Sequence, residues 1–274
     1  MNFITEKQSM HFAFFYGSCL MKKVRIAGLS VLSSAVAMMA YMFTLAHRNR
    51  VLTHTLTADS SATNILQVFF ISDIHRRRLP ERLIEELRTR SIDAVIVGGD
   101  AAEKGVPVGR VERNMRMLSA VAPLFYIFGN NDQEVGVPNI LRAVKKAGGT
   151  VLVDSTAPIP NHPRWGICGL QDPNNGPVEI DKAADSAAGY EKLILAVHNP
   201  SLLRKIEGKL QPALSLAGHT HGGQIRFGPW GMQDLGCFQK TADSAKLISN
   251  GYGTTMLPLR LGAKPECHVV EIRY

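Results

Sequence analysis

Paired metal-binding cysteines are missing from this sequence: Cys19, Cys168, Cys237 and Cys267 show no CxxC or CxxH spacing. That excludes a structural zinc knot. Three of the four fall in the globular part, and an odd number does not build a full disulfide framework. They read as free, buried thiols. No internal repeat or low-complexity block is present either, which excludes a repeat architecture. An excess of one charge on the globular part is also lacking. The net charge is +8, but residues 1–50 hold Lys7, Lys22, Lys23, Arg25, Arg48 and Arg50 against Glu6 alone. That is +5, leaving +3 for everything downstream. Nucleic acid is therefore not expected as a partner, and no obligate protein partner is expected. With 45% hydrophobic and 20% charged residues over 274 positions, the chain suits one sizeable folded domain.

What is present begins with a long uncharged run. Residues 26–46 (IAGLSVLSSAVAMMAYMFTLA) make 21 positions without a charge, which as a helix span about 30 Å, the thickness of a bilayer's hydrocarbon core. Lys22, Lys23 and Arg25 precede the run; His47, Arg48 and Arg50 follow it. It reads as a retained single-pass anchor in a cell membrane. A signal peptide cut near Ala35-Val36-Ala37 is the competing reading, and a buried helix would need covering on every face. Four basic residues before the span against two arginines after it place the domain on the extracytoplasmic side. Met21 offers an alternative start, which would make residues 1–20 an extension without structural role. The expected organisation is an N-terminal extension and basic flank over 1–25, a transmembrane anchor or signal segment over 26–46, a linker over 47–64 and one domain over 65–274.

From residue 65 onward, strand-like runs alternate with helical patterns, the signature of an α/β domain. Strands are expected at 67–71, 94–97, 124–128, 150–153, 165–170, 193–197 and 213–217, with short strands in the tail around Gly251-Tyr252-Gly253. Helices are expected at 81–89, 111–121, 139–146, 183–190 and 201–206.

Five of these strands end in side chains that bind metals. The series is Asp73-x-His75, Asp100, Asn130, His198 and His219-x-His221. Each element has an ordinary reading as a cap or turn residue. His219-Thr220-His221 is the most specific, because two imidazoles between glycines rarely serve packing. Open α/β sheets place their sites beyond the carboxyl ends of strands, so these distant residues are expected to converge. Oxygen and imidazole donors without thiolates suit Mn, Fe or Zn. Two such cations lower the pKa of a bound water and neutralise charge on phosphate oxygens.

The motifs SDIH, GGD, GNND, HNP and GHTHGGQ, with the closing run GYGTTMLPLRLGAKPE, resemble the calcineurin-like metallophosphoesterase family, most of all its membrane-associated bacterial branch, over roughly residues 65–274. The resemblance implies a two-sheet β-sandwich flanked by helices, with the site at one end. It implies that Asp73, His75 and His221 hold one metal, that Asn130, His198 and His219 hold the second, and that Asp100 bridges them. The expected activity is metal-dependent phosphoester hydrolysis by a hydroxide that two divalent ions activate.

One departure from the family pattern matters. Where the family's loop has a catalytic histidine, this sequence has Asn131, whose amide donates a hydrogen bond but no proton. Loss of a general acid costs about 10²–10⁴-fold where the leaving group needs protonation. Phosphodiesters or pyrophosphates are therefore the expected substrates, on a small-molecule, lipid or envelope phosphate, with Asp132 holding the loop. The alternative is a binding module that keeps the fold and has lost chemistry. Of Arg76, Arg77 and Arg78, Arg76 is the expected phosphate clamp, against the reading of a solvated basic loop. Trp165, Trp230 and Phe227 read as core or loop packing.

Overall fold

The computed structural model describes residues 3–59, 62–242 and 244–274, with backbone alone for 3–20 and 22. The expectation for the Cys19 thiol falls outside the described side chains. The chain divides into two compact units, Met1–Thr44 and Leu45–Tyr274.

The first unit is helical. Helix α1 runs Phe3–Ala46, longer than the 26–46 span read from the sequence, since no proline interrupts those residues. Its Lys23–Ala46 part is long and apolar enough to cross a membrane, as a single-pass anchor or a signal sequence would be. The serine and threonine hydroxyls of that part bond backbone oxygens of the preceding turn. Ser30 Oγ donates to Ile26 O at 2.9 Å, and Ser34 Oγ and Thr44 Oγ1 donate at 2.8 Å to Ser30 O and Ala40 O. Apolar surroundings would demand this.

The first strand of the second unit is β1 (Val51–Thr57), inside the stretch read as a linker. Then come β2 (Ile65–Ile71), α2 (Glu81–Arg88), β3 (Ala94–Gly98), α3 (Val108–Ser119) and β4 (Leu124–Ile127). Next are α4 (Asp132–Val135), α5 (Val137–Lys146), β5 (Thr150–Val151), β6 (Ser155–Ile159), β7 (His162–Gly169) and α6 (Ile180–Ala187). The remainder is β8 (Lys192–Ala196), α7 (Leu202–Lys205), β9 (Leu214–Ala217), β10 (Cys237–Lys240), β11 (Ala245–Ile248) and β12 (Cys267–Arg273). Residues 251–253, expected among strands, form a loop between β11 and β12.

The strands form two mixed sheets, ordered β1-β12-β2-β3-β4-β5 and β10-β11-β9-β8-β7-β6. Alternation along each strand explains why they stack. In β2, Leu66, Val68 and Phe70 face the other sheet, while Phe69 and Ile71 face α2, α3 and α5. In β8, Ile194 and Ala196 face the inter-sheet core, and Leu193 and Leu195 pack on α6 and α7. Trp165 is fully buried between the sheets. Strands covered on both faces must be apolar throughout, and each fully buried large side chain contributes about 1.5–3 kcal/mol. The result is four layers, a two-sheet sandwich with helices outside. Cys168 and Cys267 are buried free thiols and Cys237 is half-buried and free.

Candidate metal centre

The ligand-type residues sit immediately past β2, β3, β4, β8 and β9, so both sheets deliver side chains to one end of the sandwich. The backbone bends sharply there. Asp73, His75, Asp100, His219 and His221 all have positive φ, between 49° and 72°. For residues other than glycine this conformation costs about 1–3 kcal/mol each, and surrounding structure holds it. Gly129 shows how tight the fit is: a Cβ there would collide with the Asp100 carboxylate.

All seven expected ligands meet. His75 Nε2 and His221 Nε2 are 3.1 Å apart, and Asp73 Oδ1 is 3.4 Å from His221 Nε2. His198 Nε2 is 3.2 Å from Asn130 Oδ1 and 3.2 Å from His219 Nδ1. Asp100 Oδ2 lies between the two groups, 3.4 Å from His198 Nε2 and 3.8 Å from His75 Nε2. Two ligand sets emerge, Asp73-His75-His221 and Asp73-Asp100-His198, each with its atoms within 4.8 Å of one another.

The donor set suits divalent cations, because carboxylate, amide and imidazole donors converge in a buried pocket. The outward-facing imidazole nitrogens lie beside oxygen acceptors, by a hydrogen bond in His198 and by ion-pair distance in His75, as metal-ligating histidines require. His198 Nδ1 is 2.8 Å from Gly98 O, and His75 Nδ1 is 3.2 Å from Glu103 Oε2. Both rings therefore turn Nε2 inward.

Electrostatics reflect this crowding. Burial opposes ionisation of Asp73, but His221, His198 and His75 outweigh it and bring its pKa to about 2. His198 would likewise be lowered by burial, but Asp100 and Asp73 raise it to about 10. His221 is held down to about 3, chiefly by burial.

Asp132 is fully buried. It accepts hydrogen bonds from Gly129 N (2.8 Å), Asp100 N (3.2 Å), Ala101 N (3.0 Å) and Tyr126 Oη (2.7 Å). Burial, then the nearby Asp100 charge, pushes its pKa up to about 7. It ties the two ligand loops together. Asn131 is half-buried; its backbone N–H donates to Asp100 Oδ1 at 2.8 Å, and its side-chain oxygen accepts from Asn130 Nδ2 at 2.5 Å. Arg76 pairs through Nε with Glu103 Oε1, the carboxylate that backs His75, and its side chain is 61% exposed.

Sequence reasoning missed three contributors. Glu103 looked like any acidic loop residue. Tyr126 looked like strand core. Loop 171–176 carried no signal, yet Asn175 Nδ2 donates to Gly129 O at 3.0 Å, and Asp172 Oδ2 and Asn175 Oδ1 are buried without a protein partner. Phe227 and Trp230, expected to pack, are exposed.

Known proteins share this arrangement. Residues 66–227 match the calcineurin-like phosphoesterase superfamily domain. The Bacillus subtilis protein YpbG is 38% identical over 252 residues, 91% of this chain and 97% of its own length. The Escherichia coli phosphodiesterase YaeI is 31% identical over 172 residues, 58% of this chain and 62% of that protein. TT1561 of Thermus thermophilus has the same fold, with a TM-score of 0.50 at 10% identity over 69% of this chain and 90% of that one. On fold, ligand geometry and sequence together, the chain belongs to the calcineurin-like phosphoesterase superfamily and is a metallophosphoesterase.

Proposed function

We propose that the protein is a membrane-anchored hydrolase of phosphodiesters or pyrophosphates that works with two divalent cations. The observation that supports this reading is the convergence of seven donors, with Asp100 between His75 and His198 and Asp73 in reach of both the His75–His221 pair and the Asp100–His198 pair. Mn, Fe or Zn bound there would supply a hydroxide nucleophile near neutral pH and neutralise phosphate charge. The chain's own residues do the rest. Glu103 and Gly98 O fix two imidazoles, and Asp132 fixes the loops that carry Asp100 and Asn130. The Asn131 amide donates to a phosphate oxygen but transfers no proton, so a leaving group that departs as an anion is favoured. Arg76, steered by Glu103, offers the outward edge of its guanidinium to a second phosphate oxygen. The likeness to a phosphodiesterase of Escherichia coli supports the same substrate class.

The test uses the full chain in detergent, loaded with Mn²⁺, on bis-p-nitrophenyl phosphate and on phosphoserine. The expected result is hydrolysis of the diester, little of the alkyl monoester, and loss of both in Asp100→Ala. Equal rates on the two substrates would refute the assignment. A chain that binds no metal and hydrolyses neither would instead fit the binding-module reading.

A further inference from the structure

Large apolar side chains are displayed to solvent in two loops of the globular unit. Phe227, Trp230 and Met232 stand on one, with Trp230 78% and Met232 91% exposed; Met256 (83%) and Leu257 stand on the other. Exposed apolar groups in one patch mark an interaction surface.

The display is built in. Gln224 ties the loops together, with Nε2 donating to Thr255 O and Leu257 O at 3.0 and 3.1 Å and Oε1 accepting from Thr255 N at 2.9 Å. Phe227 and Trp230 close a tight turn through reciprocal backbone hydrogen bonds. Beneath it, the buried Arg226 guanidinium donates to Gly222 O, Gly228 O, Pro229 O and Gln233 O. A loop braced in this way cannot fold Trp230 back onto the core. Met256 is itself held at φ 58°.

These loops flank the metal centre and the point where the chain enters the domain. Arg260, fully buried, donates to His221 O and to backbone oxygens of residues 250, 251 and 253. On the entry side, Arg77 donates to His47 O, Arg48 O, Asn49 Oδ1 and Tyr252 O, and the Tyr252 hydroxyl bonds Asn49. His47 directly follows the last residue of α1. Met256 lies four residues past Tyr252, at most about 14 Å of chain. Arg48, Arg50, Arg82 and Lys264 line a cleft along the entry segment, whose acidic member is Glu86. Aromatic and aliphatic tips on a domain whose entry segment is cationic match the boundary between acyl chains and anionic headgroups.

We propose that the 225–235 and 254–258 loops dip into the membrane surface and set the metal centre at headgroup level, so that the substrate is the phosphodiester or pyrophosphate headgroup of a membrane amphiphile. This rests on the phosphoesterase reading above and on retention of α1.

The test uses the full chain reconstituted in phosphatidylcholine–phosphatidylglycerol vesicles containing acyl-brominated lipid. The sequence has two tryptophans, and Trp165 is sealed in the core, so it reports as an internal unquenched reference. Trp230 emission is expected to shift to the blue and to lose about half its intensity or more to the bromolipid, a loss that Trp230→Phe removes. Unquenched Trp230 would overturn membrane contact, and a soluble partner would then be the occupant of the loops. In the second arm, Phe227→Ser/Trp230→Ser/Met256→Ser is compared with the parent chain on a lipid phosphodiester in vesicles and on soluble bis-p-nitrophenyl phosphate. The ratio of lipid to soluble turnover is expected to fall about tenfold; an unchanged ratio would overturn the substrate assignment. If the parent chain hydrolyses neither substrate while Trp230 is quenched, it is the phosphoesterase reading that fails.

Discussion

Acidification should weaken the fold through His268. This residue of β12 is buried, with Nδ1 3.1 Å from His54 Nε2 on β1 and Nε2 2.9 Å from Ser249 Oγ. Glu266 Oε1 is 3.7 Å away, but its partner Oε2 faces Arg50 at 3.4 Å. Burial, then His54 and Arg50, holds the His268 pKa down to about 3. In the unfolded chain a histidine titrates near 6.5. Between the two values the unfolded chain binds a proton that the folded chain refuses, so stability rises with pH and is lost as pH falls below about 6.5. At about pH 5 the loss is close to 1.5 units at 1.36 kcal/mol each, about 2 kcal/mol. That figure depends on the unfolded value alone while the folded one stays well under 5. Burial lowers His54 as well, which acts in the same direction. Urea unfolding of the detergent-solubilised chain at about pH 8 and about pH 5, followed by Trp165 emission, gives the wild-type loss. His268→Gln keeps hydrogen-bonding capacity without titrating, and groups common to both chains cancel. The wild type should lose about 2 kcal/mol more than the variant. Identical pH dependence in the two chains would refute the reasoning.

Other perturbations act on the metal centre. Asn131→His should raise turnover of an alkyl monoester relative to the diester by about 10²-fold by restoring a proton donor; steady-state kinetics with an unchanged ratio would rule this out. Glu103→Gln should weaken metal binding about tenfold to a hundredfold by loosening the His75 ring, as read by metal retained after dialysis against graded chelator. Gly129→Ala should cost about 1–3 kcal/mol through overpacking and lower the bound metal per chain, because its Cβ drives into the Asp100 carboxylate; full metal content at parental melting temperature would contradict the geometry.

How much could be seen in the sequence varied with what each element buries. β2, β3, β4, β8 and β9 were legible because strands covered on both faces are apolar runs, and each ends in a ligand type. β1 was not. Val51–Thr57 lies at a sheet edge, with Leu56 fully buried and the rest of the strand half-exposed or exposed, and polar side chains are normal there. Its pairing with Cys267–Arg273 spans more than 200 positions, beyond any local pattern. The seven ligand-type residues could be listed because each follows an apolar strand, but the positive φ of five of them and the place of Glu103 beside His75 depend on tertiary packing. Trp230 runs against the rule that large aromatics usually bury, because its turn is braced from below by Arg226.

The place of β12 has a consequence for biosynthesis. Cys267–Arg273 lies between β1 and β2 in the first sheet, so β1 lacks its partner, and β2, already paired with β3, lacks the one on its other side, until β12 has been made. While the ribosome is still working, those two segments present open hydrogen-bonding edges, a state prone to mispairing. The apolar N-terminal helix emerges long before the sheet can close.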